Sequence, residues 1–149
     1  MTQRGFVVRS ATANDIAGID ALLARSYPVI LKADYAPSVL VTAIPLISKA
    51  QPRLVTSGSY FVVLDVDGEM VGAGGWTRGV PGGASGMQQG VAHIRHVVTD
   101  HRRLRQGIGL RLMRHIFETA RADGVEQLEC FSTLTAVPFY AACGFLELG

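Results

Sequence analysis

Cysteine is scarce in this 149-residue chain, with only Cys130 and Cys143. Two cysteines and no signal peptide make no disulfide framework, and the absence of a CxxC or His-x-His spacing leaves no zinc pattern, so no metal is expected. Both are expected to pack as small apolar side chains. Long apolar runs are also missing. None approaches the ~18 residues of a membrane helix, and Met1–Val8 lack the apolar stretch of a secretory leader. The expectation is a cytoplasmic protein with no membrane partner. Net charge is only +2, too little by itself to imply a polyanionic partner. Six of the fourteen Lys and Arg residues do fall between Arg102 and Arg121. Aromatics make up only 7% and do not interleave with that cluster, which argues against a nucleic-acid-binding module. There is no internal repeat and no low-complexity tract.

What is present is apolar content: 48% hydrophobic against 17% charged residues. A chain of this length folding as one domain, residues 1–149, can bury roughly 70% of its unfolded surface. Phe6–Arg9 reads as a strand. Thr12 with Asp15 offers a helix start ahead of Ile16, Ile19, Leu22 and Leu23 at helical spacing, with an end near Tyr27-Pro28. A second helix is predicted over Ser38–Ala50, kinked or split at Pro45. Ser59–Val66 and Glu69–Thr77 flank an Asp67-Gly68 turn as a hairpin. Gly79–Gly90, glycine-rich and aperiodic, reads as a mobile loop. His93–Thr99 follows as a strand, then an amphipathic helix over Gly107–Ala122 with Leu112, Met113, Ile116, Phe117 and Ala120 on its apolar side and Gly124 as its stop. Glu126–Ser132 is predicted as a strand, Ala136–Cys143 as a short helix and Phe145–Leu148 as a last strand. This order describes a mixed sheet with one parallel crossover.

The segment Val97 to Leu110 concentrates the chemistry. A strand ends, a basic loop follows (Arg102, Arg103, Arg105), and Gly107 and Gly109 open a helix. Glycines there let backbone N–H groups close around an anion, and the helix dipole adds positive charge, which suits a pyrophosphate. No Gly-Lys-Ser/Thr follows, and Leu112 stands where a dinucleotide fingerprint needs a third glycine or alanine. Both common nucleotide motifs therefore fail.

The segment Leu104-Arg105-Gln106-Gly107-Ile108-Gly109 resembles the cofactor motif of the GNAT superfamily: Gln or Arg, two residues, Gly, one residue, Gly or Ala. The glycines match. Leu104 departs at the first position, and His101 stands where a proline is often found. Downstream, Ala136-Val137-Pro138-Phe139-Tyr140 with Gly144-Phe145 is similar to the family's final helix, at an interval from Gly109 that fits one helix, one strand and a turn. The resemblance spans roughly residues 58 to 148. It implies an α/β (α+β) fold with a mixed, mostly antiparallel central sheet, helices on both faces and a splayed parallel strand pair. It further implies acetyl-CoA as cosubstrate, held mainly through main-chain groups of Val97, Val98, Thr99, Arg105, Gln106, Gly107, Ile108, Gly109 and Leu110, with Arg103 or Arg105 supplying charge. Leu128–Phe131 would splay from His93–Thr99 to admit the pantetheine arm.

In this family the Tyr of the Phe-Tyr pair lies near the cofactor sulfur, which makes Tyr140 the expected acid for the departing thiolate. His93 stands where a related branch carries its catalytic Glu, and a histidine suits a base near neutral pH. Water-mediated deprotonation competes with it. By strand alternation His96 points to the opposite face. A free main-chain N–H near Val97 or Val98 would meet the oxyanion. Arg95, with Trp76 and Arg78, is expected to line an acceptor pocket for a small-molecule or peptide amine. The implied reaction is direct acetyl transfer to a primary amine without a covalent intermediate, and the alternative is a non-catalytic acyl-CoA sensor. The chain stops at Gly149, before the strand that usually follows the Gly-Phe of this family, so an unpaired sheet edge is expected to favour a homodimer.

Overall fold

The computed structural model describes residues 5–78 and 90–148. Five strands, β1 (Val7–Ser10), β2 (Tyr60–Leu64), β3 (Met70–Thr77), β4 (Val91–Thr99) and β5 (Gln127–Glu129), form one sheet in sequential order. All neighbours are antiparallel except β4 and β5, which run parallel. The helices are α1 (Ile16–Ile30), α2 (Pro37–Ile47), α3 (Pro52–Val55), α4 (Ile108–Ala122) and α5 (Val137–Ala142). The mixed, mostly antiparallel sheet with helices on both faces is as the sequence suggested.

β2 shows why the sheet is central. Tyr60 and Val62 enter a core with Ile19, Leu22 and Leu23 of α1. The alternate residues Phe61 and Val63 pack with Ile108, Leu112, Met113 and Ile116 of α4. A strand buried on both faces carries an unbroken apolar run rather than an alternating one. The apolar side of α4 is the one read from its periodicity, and Gly124 at φ +86° follows its end.

The larger departures from the sequence reading lie in the helices and at the C-terminal end. α1 runs past Pro28 to Ile30. The missing proline N–H is outweighed by burial of Ile19, Leu22, Leu23 and Ser26 and by the Tyr27 hydroxyl, which donates to the Val97 carbonyl at 3.0 Å. Pro45 does not split α2, which ends two residues later. A separate turn of helix, α3, buries Leu54 and Val55. β5 is three residues long and stops at Glu129. No strand forms over Phe145–Leu148: the amides of Cys143, Gly144 and Phe145 all turn back onto α5 carbonyls, and Leu146 and Leu148 lie exposed. The expected loop Gly79–Gly90 lies outside the described residues except for Gly90.

Candidate functional site

The middle of the site is a break in β4. Ala73 pairs with Val98 and Gly75 with Arg95, so two steps on β3 face three on β4, and His96 takes φ +51°. This bulge leaves carbonyls without ladder partners, and two phenols supply them. Tyr60 donates to the His96 carbonyl at 2.8 Å and Tyr27 to the Val97 carbonyl at 3.0 Å. Burial pushes both phenols above their ordinary range, so they remain donors. The pairing of β4 with β5 covers only Val91, Ala92 and His93. Beyond that rung the β4 edge carrying Val97, Val98 and Thr99 has no strand beside it among the described residues.

Immediately past β4, Asp100 is 1% exposed and caps a short 3-10 turn by accepting the Arg102 N–H at 2.9 Å. It also accepts from Arg102 Nη2 at 2.8 Å and from Arg25 Nη2 at 3.2 Å. The bonds from Arg102, more than those from Arg25, hold its carboxyl well below the usual range against the cost of burial. Arg103 is engaged as well, with Asp65 at 2.9 Å and Gln106 at 3.1 Å. Arg105 is exposed and has no hydrogen bond or ion pair among the described residues. Of the two arginines proposed for the missing charge, Arg105 is therefore the uncommitted one.

The two glycines of the motif serve different ends. Gly107 caps α4 at φ +81°, with open space where a Cβ would stand. It turns the chain so that the first-turn amides of α4, which have no intrahelical acceptor, face outward. Gly109 is a close-approach glycine, since a Cβ there would lie 2.8 Å from Phe139 Cε1. The start of α4 and the side of α5 thus touch, and the next residue of α5 is Tyr140. Its ring stacks edge-on with Phe139 and Phe145. Burial first and the neighbouring Cys130 second push the phenol far above its ordinary range. Burial raises the Cys130 thiol, and the neighbouring Tyr140 partly opposes that rise.

His93 and Arg95 occupy the α1–α3 side of the sheet. His93 is 5% exposed, with Nε2 3.2 Å from Glu129 Oε1 and its ring stacked near Phe131. Arg95 donates to Thr77 Oγ1 and Gln51 Oε1. His96 is not on the opposite face, as plain alternation predicted. The bulge returns it to this side, where Nε2 meets the Ile47 carbonyl at 2.7 Å and burial lowers its pKa. Trp76 and Arg78 do not join Arg95. Trp76 packs under α4, with Nε1 donating to Thr119 Oγ1, and Arg78 pairs with Asp123 at the end of that helix. Trp76 faces away because it is the register partner of Ile94, one residue out of phase with His93 and Arg95.

Sequence reasoning missed Tyr27, Tyr60, Asp100, Cys130 and Glu129. Asp100 carried a signal: a good capping residue standing directly before a basic turn. The two tyrosines carried none, because a bulge cannot be counted from one strand alone. Among the described residues no group of three His, Cys, Asp or Glu side chains is placed to hold a metal ion, and no helix is long and apolar enough to cross a membrane.

Comparison with known proteins adds an independent observation. The family model described as "Acetyltransferase (GNAT) domain" matches residues 32–149. A probable glucosamine 6-phosphate N-acetyltransferase 2 of Oryza sativa subsp. japonica is 39% identical over 61 residues, which is 40% of this chain and 36% of that protein. The PaiA N-acetyltransferase of Thermoplasma acidophilum, solved in complex with coenzyme A, is 11% identical and superposes with a TM-score of 0.74 over 95% of this chain and 89% of its own. An acetyltransferase from Pyrococcus horikoshii, described as putative, is 19% identical, with a TM-score of 0.67 over 97% of this chain and 44% of its own. This chain thus spans less than half of two of these three proteins.

Proposed function

Because the chain belongs to the GNAT acetyltransferase family, we propose that it transfers an acetyl group from acetyl-CoA directly to a primary amine. The observation that carries this reading is the end of β4–β5 pairing at the His93–Glu129 rung, with the Gly107 turn ahead of α4 and the buried Tyr140 phenol on α5 nearby in the chain's fold.

The fit to coenzyme A rests on three features of this chain. The α4 first-turn amides at Ile108, Gly109 and Leu110 lack intrahelical acceptors, Gly107 leaves space before them, and Arg105 is uncommitted. Arg105, Gln106 and Gly107 would hold the diphosphate. The free edge at Val97–Thr99 would pair with the pantetheine amides, and an N–H of Val97 or Val98 would meet the oxyanion as the thioester carbonyl is attacked. Tyr140 stays protonated across the working pH range, so it donates a hydrogen bond to the departing thiolate as the C–S bond breaks. Full transfer from so weak an acid is uphill, and the contribution is charge stabilisation at short range. His93 takes the amine proton. Arg95, on the same side of the sheet, faces the acceptor. A homodimer using the outer edge of β5 belongs to the same reading and is checked by light scattering over a concentration series.

The test is thiol release from acetyl-CoA against an amine panel that includes glucosamine 6-phosphate, prompted by the partial match above. Tyr140→Phe is expected to lower kcat by about 10²-fold while leaving the Kd for CoA within a factor of three. Retention of wild-type kcat would remove the phenol from the mechanism. No turnover with any amine would remove the transferase reading.

A further inference from the structure

The last rung of the parallel pair brings two ionisable side chains into contact. His93 on β4 is the register partner of Glu129 on β5, and Nε2 lies 3.2 Å from Oε1. An ionised carboxylate only accepts hydrogen bonds, so this contact places the proton of the neutral ring on Nε2 and leaves the lone pair on Nδ1. Nδ1 is buried and has no hydrogen-bond partner in the described structure. A buried acceptor with nothing to accept is costly and marks a site that asks for a donor. The second oxygen of Glu129 accepts from Gln127 Nε2 at 3.0 Å, and the glutamate side chain is 39% exposed.

We propose that Glu129 is the positioning residue of a two-residue proton relay, holding His93 in the tautomer whose Nδ1 receives the acceptor's proton. The inference rests on the acetyl-transfer reading above. In the step, the amine nitrogen forms the new C–N bond to the acetyl carbon and its proton passes to Nδ1. The C–S electron pair leaves with the thiolate, which takes up one proton to become the thiol. The resulting imidazolium is stabilised by Glu129 at Nε2. Once the product leaves, the imidazolium gives up its Nδ1 proton to solvent, the source from which the thiolate takes its own, and the Nε2–H ring is restored. The Phe131 ring lies nearly parallel to the imidazole, 6.0 Å away at 12°. The other groups around His93 do not replace the carboxylate. Thr77, its register partner on β3, is neutral, and Arg95 on the same strand face carries positive charge that opposes an imidazolium. Gln51, from the segment between α2 and α3, is neutral and engaged with Arg95.

Two measurements test the assignment. In nitrogen-15 imidazole spectra of the free protein, His93 is expected as the Nε2–H tautomer, and Glu129→Gln is expected to shift it toward a mixture. A wild-type ring that is mainly Nδ1–H would overturn the proposal, and this spectrum decides it whether or not an acceptor is found. In turnover, Glu129→Gln should lower the kcat/KM plateau by about 10²-fold and move its acid limb to lower pH, because the imidazolium loses its anion. Glu129→Asp should restore part of the plateau, with melting temperature and CoA affinity unchanged in both variants. A wild-type plateau and pH profile in Glu129→Gln would refute the relay, as would a loss of rate that tracks a loss of folding or CoA binding. Absence of turnover in the wild type would count against the transferase reading instead.

Discussion

Replacing Asp100 by Asn is expected to loosen both the fold and the cofactor turn. The carboxylate is 1% exposed and accepts from the Arg102 N–H, two Arg102 side-chain nitrogens and Arg25 Nη2. Asparagine keeps one acceptor and turns an NH2 group toward donors. Removing one partner of a buried ion pair costs about 3–5 kcal/mol. The Arg102 side chain is largely in solvent and is given no share, so the Arg25 contact and the cap remain, for a total of roughly 2–3 kcal/mol. For a chain of this size that lowers Tm by roughly 4–12 °C. The folded-state carboxyl is held below its unfolded value, so its stabilisation is complete above the ordinary carboxylate range and is lost as pH falls. The gap in Tm between wild type and Asp100→Asn should therefore be widest near neutral pH, start to narrow at about pH 4 and remain partly open at the acid end of the range, because the folded carboxyl titrates well below its unfolded value. Calorimetry across pH 3–8, with CoA titrations at pH 7, measures both effects, and CoA affinity should fall because the turn ahead of Gly107 loses its cap. A shift under about 2 °C at pH 7, or a gap as wide at about pH 3 as at neutral pH, would exclude this role for the carboxylate.

Two further substitutions separate roles within the motif. Gly109→Ala forces the Phe139 ring to move and through it displaces Tyr140, so kcat should fall by at least tenfold, on the order of the sensitivity of catalysis to small misplacements. Stopped-flow turnover with parallel CoA binding would show whether the loss lies in rate, as expected, or in affinity. Arg105→Gln should weaken CoA binding about three- to tenfold with little effect on Tm, and the deficit should shrink as salt rises, because the charge is exposed. Calorimetric titration at two ionic strengths reads this directly, and an affinity loss indifferent to salt would speak against a charge contact.

Much of the fold was legible because it is written in local patterns. The α4 stripe, the Asp67-Gly68 turn and the apolar run of β2 each specify an element without reference to the rest of the chain. The glycine turn was legible for the same reason. What escaped was set by partners distant in sequence. The bulge at His96 exists in the register between β3 and β4, and its phenols come from α1 and β2, so periodicity within β4 put His96 on the wrong face. Trp76 was grouped with Arg95 because its strand neighbour's phase was unknown, whereas its indole packs in the α4 core and lines a cavity there with Arg78 and Asp123. The expected strand at Phe145–Leu148 had the right composition and no edge to pair with, because β5 stops at Glu129 and α5's end recaptures the following amides. Glu129 was invisible for a related reason: a single glutamate on a short strand says nothing until the parallel rung sets it against His93.

In the proposed complex, backbone amides at residues 105–110 hold the diphosphate while the thioester end reaches Tyr140. A titration of the labelled protein with CoA, followed by amide and aromatic NMR shifts, tests this arrangement residue by residue. Saturable shifts are expected to concentrate at Arg105–Leu110 and Val97–Thr99, together with a change in the Tyr140 ring signals. Shifts that cluster elsewhere, or binding that leaves Gly107, Ile108 and Tyr140 unmoved, would contradict it.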